Sequence, residues 1–255
     1  MNRILITGAS SGFGLETARL FLDRGWSVVA TMRTPREGLL PASERLTILP
    51  LDVTDAASIA HAVDAAGPLD ALVNNAGIGL LNALEGTSLE IIREVFETNT
   101  LGTIAMTRAV LPQLRERGAG VVVNVTSSVT LKSLPLLSVY TASKAAVNAF
   151  TQALVQEVEP FGVRARLVLP GRAPDTSFAE NARERMAAGF PQAYAETAQA
   201  VFQGWQTTDE FTRPGDVAEA VWHVVTDPDA PVVTPAGADA VTWLREAREG
   251  HSELS

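Results

Sequence analysis

The stretch "ILITGASSGFGLETARLFL", Ile4 to Leu22, combines a short apolar run, a glycine-rich turn and an amphipathic segment of helix length. Three glycines at such a turn let the backbone approach a pyrophosphate closely, and the N–H groups of a helix N-terminus favour its negative charge. The stretch therefore predicts a dinucleotide-binding turn, formed by Gly8, Ser10, Ser11, Gly12, Phe13 and Gly14. A purely structural tight turn is the alternative.

The rest of the chain repeats this alternation of strand and helix. Apolar runs occur as "RILIT", "SVVATM", "LTILPL", "DALVNN", "VVVNVTS" and "RARLVLP", with a weaker seventh, "VVTPAG". Stretches with helical spacing lie between them, at 14–24, 56–65, 91–117 and 140–159. Short continuous apolar runs are typical of strands covered on both faces. The pattern predicts a single domain, 1–255, of doubly wound Rossmann type, with a mainly seven-stranded parallel sheet and helices on both faces.

Composition disfavours several classes of protein. The 255 residues are 46% hydrophobic and 19% charged, and the net charge of −9 comes with no basic run. Nucleic acid is disfavoured because its phosphates attract a Lys/Arg surface. With no cysteine and three scattered histidines, disulfides are excluded and no metal site is expected. We find neither a charged-then-apolar leader nor an apolar run of about 18 residues, and so expect a cytoplasmic protein without a membrane span.

One segment, 172–208, belongs to no strand–helix unit. It follows the sixth apolar run and is rich in Ala, Gln and Phe. Insertions at the carboxyl end of a strand in an open α/β sheet lie where ligands bind. We interpret it as a helical substrate lid, with an extra packing or dimerisation helix as the alternative.

The end of the second predicted strand bears on which dinucleotide binds. "VVATMRTP" offers no carboxylate for a ribose hydroxyl and instead has Arg33, nineteen residues after Gly14. A guanidinium there suits a 2′-phosphate. NADP(H) is therefore the preferred cofactor, with NAD(H) possible and a solvated loop arginine as the alternative interpretation of Arg33.

Tyr140 and Lys144 lie in "SVYTASKAAVNAF", 138–150. Four helical residues turn the chain by about 400°, so both side chains share one face. A phenol has a pKa of about 10, and an ammonium at about 4 Å supplies roughly the 4 kcal/mol needed to lower that pKa to neutrality. Burial acts in the opposite direction. We expect Lys144 to lower the pKa of Tyr140, against the alternative of an ordinary helix with a snorkelling lysine.

Together these motifs resemble the short-chain dehydrogenase/reductase family, in its single-domain branch. The resemblance is carried by "TGASSGFG", "LDVTD", "NNAG", Asn99, the Ser127/Tyr140/Lys144 set and "LPG". The carboxyl-terminal "PVVTPAGADAVTWLREAREG" is similar to the hydroxysteroid and retinol dehydrogenase branch and lacks the glycine-rich strand that often supports tetramers. A homodimer is therefore expected, and a tetramer is in doubt.

The resemblance implies a catalytic set and further cofactor contacts. The catalytic residues would be Asn99, Ser127, Tyr140 and Lys144; Ser127 is chosen because it precedes the tyrosine by thirteen residues, with Ser128 as the fallback. Tyr140 and Lys144 would also contact the cofactor, together with Asp52, Val53, Asn75, Ala76, Gly77, Pro170, Gly171 and Thr176. Alternatives remain: Asp52 as a helix cap, the asparagines as strand-end caps, and Pro170-Gly171 as a plain turn.

The function expected from this resemblance is hydride transfer between NADP(H) and a carbonyl or secondary alcohol. "SLPLLSV" at 133–139 and the lid residues Phe178, Met186, Phe190, Tyr194, Phe202 and Trp205 suggest a lipophilic small-molecule substrate, although such a stripe also occurs in plain core packing. The alternative function is a non-catalytic nucleotide sensor or scaffold. A sugar-nucleotide epimerase would need a larger carboxyl-terminal region.

Overall fold

The structure, a computed structural model, describes residues 2–174, 189–206 and 210–252. Seven strands form one sheet in the order β3-β2-β1-β4-β5-β6-β7, and every neighbouring pair is parallel. The strands are β1 Arg3–Ile6, β2 Ser27–Met32, β3 Leu46–Pro50, β4 Ala71–Asn74, β5 Gly120–Val125, β6 Val163–Pro170 and β7 Val233–Ala236. The predicted seven-stranded, doubly wound fold is confirmed, including its weak seventh strand.

Helices cover both faces of this sheet. In chain order they are α1 Gly12–Asp23, α2 Ala56–Ala66, α3 Leu89–Phe96, α4 Gly102–Arg117, α5 Ser138–Val158, α6 Ala195–Gln206, α7 Pro214–Thr226 and α8 Ala238–Ser252. In β1, Ile4 and Ile6 pack with α1 and α7, whereas Leu5 packs on the other face with α2, α4 and α5. This alternation follows from the two-residue period of a strand and explains why Ile4, Leu5 and Ile6 are all apolar.

The long helix predicted at 91–117 is interrupted. It begins at Leu89, and a π-helical turn, Glu97–Leu101, separates α3 from α4. Ser88 caps α3, because its side chain accepts a hydrogen bond from the N–H of Ile91 at 3.3 Å. π-Turns inside helices frequently mark functional sites, and this one contains Asn99.

The order of the strands sets the position of the site. The chain winds outward from β1 in one direction to β3 and in the other direction from β4 onward, so the switch point lies between β1 and β4, at their carboxyl ends. Across the described ranges, no helix has the length and apolar character needed to cross a bilayer.

Candidate active site

The glycine-rich turn lies at the switch point, directly after β1. Gly8 and Gly12 have φ values of +69° and +54°, a region that favours glycine. Gly14 is needed for another reason: a Cβ there would lie 2.4 Å from the carbonyl oxygen of Gly8. Ser11, at the N-cap of α1, makes no side-chain capping hydrogen bond. The turn therefore brings backbone close to the helix N-terminus, as an anion-binding turn requires.

The "NNAG" motif is joined to this turn through Thr7, a residue without a role predicted from the sequence. The buried Thr7 Oγ1 accepts hydrogen bonds from the N–H groups of Asn75 and Ala76 at 3.0 and 2.9 Å. Asn75 Nδ2 donates in turn to the carbonyl oxygens of Thr7 and Gly8 at 3.0 and 3.1 Å. The end of β4 and the glycine-rich turn are thus fixed to each other.

At the end of β3, the structure separates two aspartates that the sequence left ambiguous. Asp55 is the N-cap of α2, because its carboxylate accepts from the N–H groups of Ala57 and Ser58. Asp52 instead accepts from the N–H and the hydroxyl of Thr54 at 2.9 and 2.7 Å. These hydrogen bonds are the main reason why the pKa of Asp52 lies below its ordinary value, with a smaller contribution from nearby Arg33. Asp52 therefore is not the helix cap.

Two arginines lie near the carboxyl end of β2. Arg33 follows the last strand residue, Met32, and is exposed. Arg36, for which the sequence predicted no role, is also exposed, and its Nη2 donates to the carbonyl oxygen of Ser10 at 3.0 Å. Arg36 therefore spans from the β2 loop to the glycine-rich turn.

The π-turn places Asn99 beside Gly77. Asn99 Oδ1 accepts from the N–H of Ile78 at 2.8 Å, and Nδ2 donates to the Ile78 carbonyl at 2.9 Å and to Ser143 Oγ at 3.1 Å. A Cβ on Gly77 would lie 3.1 Å from Asn99 Oδ1 and 3.3 Å from Lys144 Nζ. Asn99, in the π-turn that precedes α4, and Lys144, in α5, thus both have side-chain atoms close to Gly77.

Ser127, Tyr140 and Lys144 come together at the carboxyl end of β5, and all three are buried. The Ser127 hydroxyl hydrogen-bonds the phenol of Tyr140 and caps a short turn by accepting from the N–H of Val129 at 3.3 Å. Lys144 Nζ donates to the carbonyl oxygen of Val125 at 3.2 Å. Ser128 is also buried but makes no such bond in the described structure, so Ser127 is the serine brought to the tyrosine.

The sequence predicted that Lys144 lowers the pKa of Tyr140. This prediction is wrong, because the pKa of Tyr140 is raised in the folded protein. Burial raises the pKa of Tyr140 far above its ordinary value, and the hydrogen bond from Ser127 offsets only part of this effect. Burial also lowers the pKa of Lys144 to about 8. Both effects have one cause, because removing water disfavours the charged form of each group. At neutral pH the site therefore holds a neutral phenol next to a mostly protonated amine.

A buried polar network under the site was not predicted. Asn74 Nδ2 donates to Thr107 Oγ1 at 2.9 Å and to Asn124 Oδ1 at 2.8 Å, and Asn124 Nδ2 donates to Thr151 Oγ1 at 2.8 Å. It crosses β4 and β5 and joins α4 to α5 through the sheet. Because each bond is directional, the network fixes the register of the two helices that carry Asn99, Tyr140 and Lys144.

Pro170 ends β6 at the same edge of the sheet, and Gly171 is the first residue of the loop that follows. Thr126 N–H donates to the carbonyl of Val168 at 2.9 Å, so the strands that lead to Ser127 and to Gly171 are hydrogen-bonded neighbours at this edge. Gly171 has no left-handed backbone conformation; it is glycine because a Cβ would lie 2.0 Å from Asp239 Oδ1. Thr176 lies outside the described residues, as do Phe178 and Met186, and the side chain of Trp205 is not described.

The described parts of the predicted lid are residues 172–174 and the segment 189–206, which includes α6. The segment 189–206 carries the contacts. It packs on the loops around Leu81 and Leu136 through one apolar cluster, formed by Leu81, Ala83, Leu136, Leu137, Phe190, Tyr194, Ala198 and Val201. Leu137 also packs against the apolar cluster that contains Leu80, Val95 and Tyr140. Leu136 has a φ of +66°, an unfavourable conformation for a residue with a side chain. A cavity of about 530 Å³ lies along α6, lined by Phe190, Ala195, Ala198, Gln199, Phe202 and Gln203.

The strand order and the glycine-rich turn at its switch point place the chain among Rossmann-type α/β proteins. The sequence model of a protein family described as "short chain dehydrogenase" matches residues 2–187. The chain belongs to the short-chain dehydrogenase family of oxidoreductases, as the sequence motifs indicated.

Individual relatives agree with this assignment. A 3-ketodihydrosphingosine reductase of Bacteroides thetaiotaomicron is 37% identical over 198 residues, covering 76% of this chain and 72% of that protein. Retinol dehydrogenase 8 of Bos taurus is 39% identical over 180 residues, covering 66% of this chain and 58% of that protein. The predicted likeness to retinol dehydrogenases is confirmed.

Solved structures are similar over nearly the whole chain. A short-chain dehydrogenase from Streptomyces avermitilis has a TM-score of 0.83 and 33% identity, covering 99% of this chain and 94% of that one. A serine dehydrogenase complexed with NADP+ has a TM-score of 0.79 and 30% identity, covering 92% and 94%. A short-chain dehydrogenase/reductase from Burkholderia phymatum in complex with NAD has a TM-score of 0.82 and 25% identity, covering 99% and 94%. Similar structures thus hold either NADP or NAD.

Proposed function

We propose that this protein is an NADP(H)-dependent oxidoreductase that transfers a hydride between the nicotinamide ring and the carbonyl carbon of a lipophilic ketone or secondary alcohol. The observation that carries this proposal is the buried contact between Ser127 and Tyr140, with Lys144 on the same face of α5. A buried amine that has no ion pair among the described residues is costly for a protein to hold, and this cost is expected at a functional site.

The residues have separate roles in carbonyl reduction. Ser127 and Tyr140 present hydroxyl groups that hydrogen-bond the substrate oxygen. The phenol of Tyr140 gives its proton to that oxygen as the carbonyl carbon is reduced, so the product is an alcohol and Tyr140 is left as a phenolate. The hydride itself is supplied by the nicotinamide of the bound cofactor. Because burial raises the pKa of Tyr140, the phenol is in the proton-donating state throughout the neutral range.

Lys144 and Asn99 act after the proton has been transferred: Lys144 stabilises the phenolate, and Asn99 takes part in its reprotonation. The ammonium of Lys144, on the same helical face, stabilises the phenolate electrostatically in a site from which water is excluded. Asn99 Nδ2 and Oδ1 hold the loop at Ile78, and the Asn99 side chain lies across Gly77 from Lys144 Nζ. We assign Asn99 to a water-linked route that returns a proton to Tyr140.

Tyr140→Phe tests the mechanism most directly. The variant keeps the ring but has no proton to give, so turnover should fall by about 10³-fold or more, while NADPH affinity stays within about twofold. Ketone reduction is followed by the absorbance of the reduced nicotinamide, and binding by its fluorescence. Near wild-type turnover of Tyr140→Phe would rule the mechanism out, whereas cofactor binding by wild type without turnover of varied ketones would favour the sensor function.

The preference for NADP(H) is supported by the two arginines after β2. Arg33 and Arg36 provide guanidinium groups at the end of the strand and at the glycine-rich turn, where a 2′-phosphate would be held by bidentate hydrogen bonds. The last residue of β2 is Met32, so no carboxylate there repels that phosphate.

Single alanine substitutions test this preference. Arg33→Ala and Arg36→Ala should each lower kcat/KM for NADPH by about tenfold or more, the range of a hydrogen bond to a charged group, with little change for NADH. Arg93→Ala, which removes an exposed arginine on α3, is the matched control. An unchanged NADPH preference in both variants would remove the basis of the cofactor proposal.

A lipophilic substrate is supported by the apolar cluster that extends from α6 through Leu137 to Tyr140. Two relatives bear names that refer to lipophilic compounds, ketodihydrosphingosine and retinol. For a series of straight-chain ketones, each added CH₂ buried in such a site should raise kcat/KM by up to about fourfold, since a buried CH₂ contributes about 0.8 kcal/mol. No dependence on chain length would contradict the lipophilic site.

The cytoplasmic location, the single domain, the lid and the homodimer stay predictions.

A further inference from the structure

A second buried pair, Thr212 and Asp239, lies beneath the loop that follows β6. Thr212 and Asp239 are 2% and 5% exposed. Thr212 comes between the lid helix α6 and α7, and Asp239 is in the first turn of α8. The sequence predicted no role for either residue, although Asp239 lies within the carboxyl-terminal stretch that is similar to the hydroxysteroid and retinol dehydrogenase branch.

The pair binds the backbone of two consecutive loop residues. The N–H of Gly171 donates to Thr212 Oγ1 at 2.8 Å, and the N–H of Arg172 donates to Asp239 Oδ2 at 2.6 Å. The N–H of Thr212 donates back to the carbonyl oxygen of Arg172 at 2.7 Å. Thr212 Oγ1 and Asp239 Oδ1 are themselves 2.8 Å apart and hydrogen-bonded. The loop is therefore held at two N–H groups and one carbonyl.

Two glycines make room for this arrangement. A Cβ on Gly171 would lie 2.0 Å from Asp239 Oδ1, and a Cβ on Gly237 would lie 2.0 Å from Thr212 Oγ1. Real Cβ atoms do not approach other atoms so closely. Side chains at either position would displace the pair, so its contacts with the loop depend on both glycines.

The loop held in this way lies next to the proposed catalytic residues. β6 pairs with β5 through Val125 and Val168, and the carbonyl of Val125 accepts from Lys144 Nζ. Two residues beyond Val168, the chain reaches Pro170 and then leaves the sheet edge into the loop. Arg172 begins the predicted lid insertion and Thr212 follows it, so the pair joins the two ends of that insertion.

We propose that Asp239 and Thr212 are positioning residues that fix the Gly171–Arg172 loop against the nicotinamide half of the cofactor. This inference rests on the proposed NADP(H) function. Within the part of the chain that the structure describes, the side chains of the pair make no hydrogen bond to the glycine-rich turn or to Arg33, so their effect should be confined to the nicotinamide end.

Binding of two probes to Asp239→Ala tests this. NADPH contains the nicotinamide half, whereas adenosine 2′,5′-bisphosphate contains only the adenosine, its 2′-phosphate and one further phosphate. Without the carboxylate, the N–H of Arg172 loses its acceptor and the Gly171–Arg172 loop must be ordered when NADPH binds. This ordering cost should raise the Kd for NADPH about tenfold, and the Kd for adenosine 2′,5′-bisphosphate should stay within about twofold. Because a misplaced nicotinamide reacts poorly, kcat for a ketone should fall by about tenfold or more.

Asp239→Asn is the conservative variant. Its Oδ1 can still accept from the N–H of Arg172, and its Nδ2 can donate to Thr212 Oγ1, so NADPH affinity and kcat should return to within about threefold of wild type. Asp216→Ala is the matched control, because Asp216 is exposed and accepts from the N–H of Arg213 at 2.8 Å in the cap of α7. It should lower stability without separating the two probes.

The outcomes distinguish this inference from the proposed function. Equal weakening of both probes by Asp239→Ala, or weakening of neither, would overturn the positioning role. If wild type itself binds neither probe, the NADP(H) function fails first. If Asp239→Ala does not fold, Thr212→Val and Thr212→Ser give the same test: the valine should weaken NADPH alone, and the serine should restore its binding. If Thr212→Val and Thr212→Ser bind NADPH with the same affinity, and also bind adenosine 2′,5′-bisphosphate with the same affinity, the positioning role of the pair is refuted.

Discussion

The buried amine of Lys144 leads to a prediction about stability. Its side chain is 5% exposed, and its Nζ donates to one carbonyl, that of Val125. Burial lowers the pKa of Lys144 to about 8, from 10.5. At about 1.4 kcal/mol for each pKa unit, holding the charged amine in the folded protein costs about 3 kcal/mol. Lys144→Met should remove this cost.

The direction in which stability changes with pH follows from the number of protons bound by the folded and unfolded states. The folded-state pKa of Lys144 lies below its unfolded value, so the unfolded chain binds more protons between about pH 8 and 10.5, and stability rises with pH across that window. Below about pH 8 the full cost is present. After subtraction of about 1 kcal/mol for the lost hydrogen bond, Lys144→Met should be about 2 kcal/mol more stable than wild type at pH 7. The gain should be lost by pH 10.5.

Urea unfolding of both proteins at pH 7 and at pH 10.5, without cofactor, measures this difference. Lys132→Met is the control, since the side chain of Lys132 is half exposed and pairs with Glu246 at the surface; its effect should stay within about 0.5 kcal/mol at both pH values. A Lys144→Met protein that is less stable at pH 7, or whose stability difference from wild type is the same at both pH values, would refute the reasoning.

Further predictions concern the same site. The pH profile of kcat/KM for ketone reduction should fall as pH rises through about 8, where Lys144 loses its proton; a flat profile to about pH 9.5 would contradict the role of its charge. Gly77→Ala should lower kcat about tenfold, because its Cβ would crowd the Asn99 and Lys144 side chains, whereas Gly215→Ala, in open space on α7, should not; equal rates would refute the crowding. Asn124→Ala should lower the free energy of unfolding in urea by about 2 kcal/mol or more, because the Asn74 and Thr151 side chains lose their shared partner. A loss below about 0.5 kcal/mol would show that the network does not stabilise the fold.

The sequence was sufficient for the fold and for most of the residues that meet at the site. Strand-length apolar runs of Val, Ile and Leu separated by helical spacing predict a parallel sheet, since doubly covered strands bury both faces. Gly8 and Gly12 are needed for their backbone conformations, which is a local property. Tyr140 and Lys144 share a face because of the helical repeat alone.

Other features depend on groups that are distant in sequence. Thr7 joins Asn75 across two strands, and Asp239 contacts the loop at Arg172 from the far side of the lid segment. Local sequence spacing does not predict such pairings, because they arise from strand order and close packing of helices. Residues without a family motif, such as Thr212 and Arg36, were missed for this reason.

The pKa of Tyr140 shows most clearly what tertiary structure alone decided. From the sequence, the neighbouring Lys144 predicted a lowered pKa, but folding buries both groups and raises the pKa of the phenol instead. Helical spacing determines which side chains are neighbours. The amount of water around them is set by the whole fold, and that amount decides whether attraction or desolvation dominates.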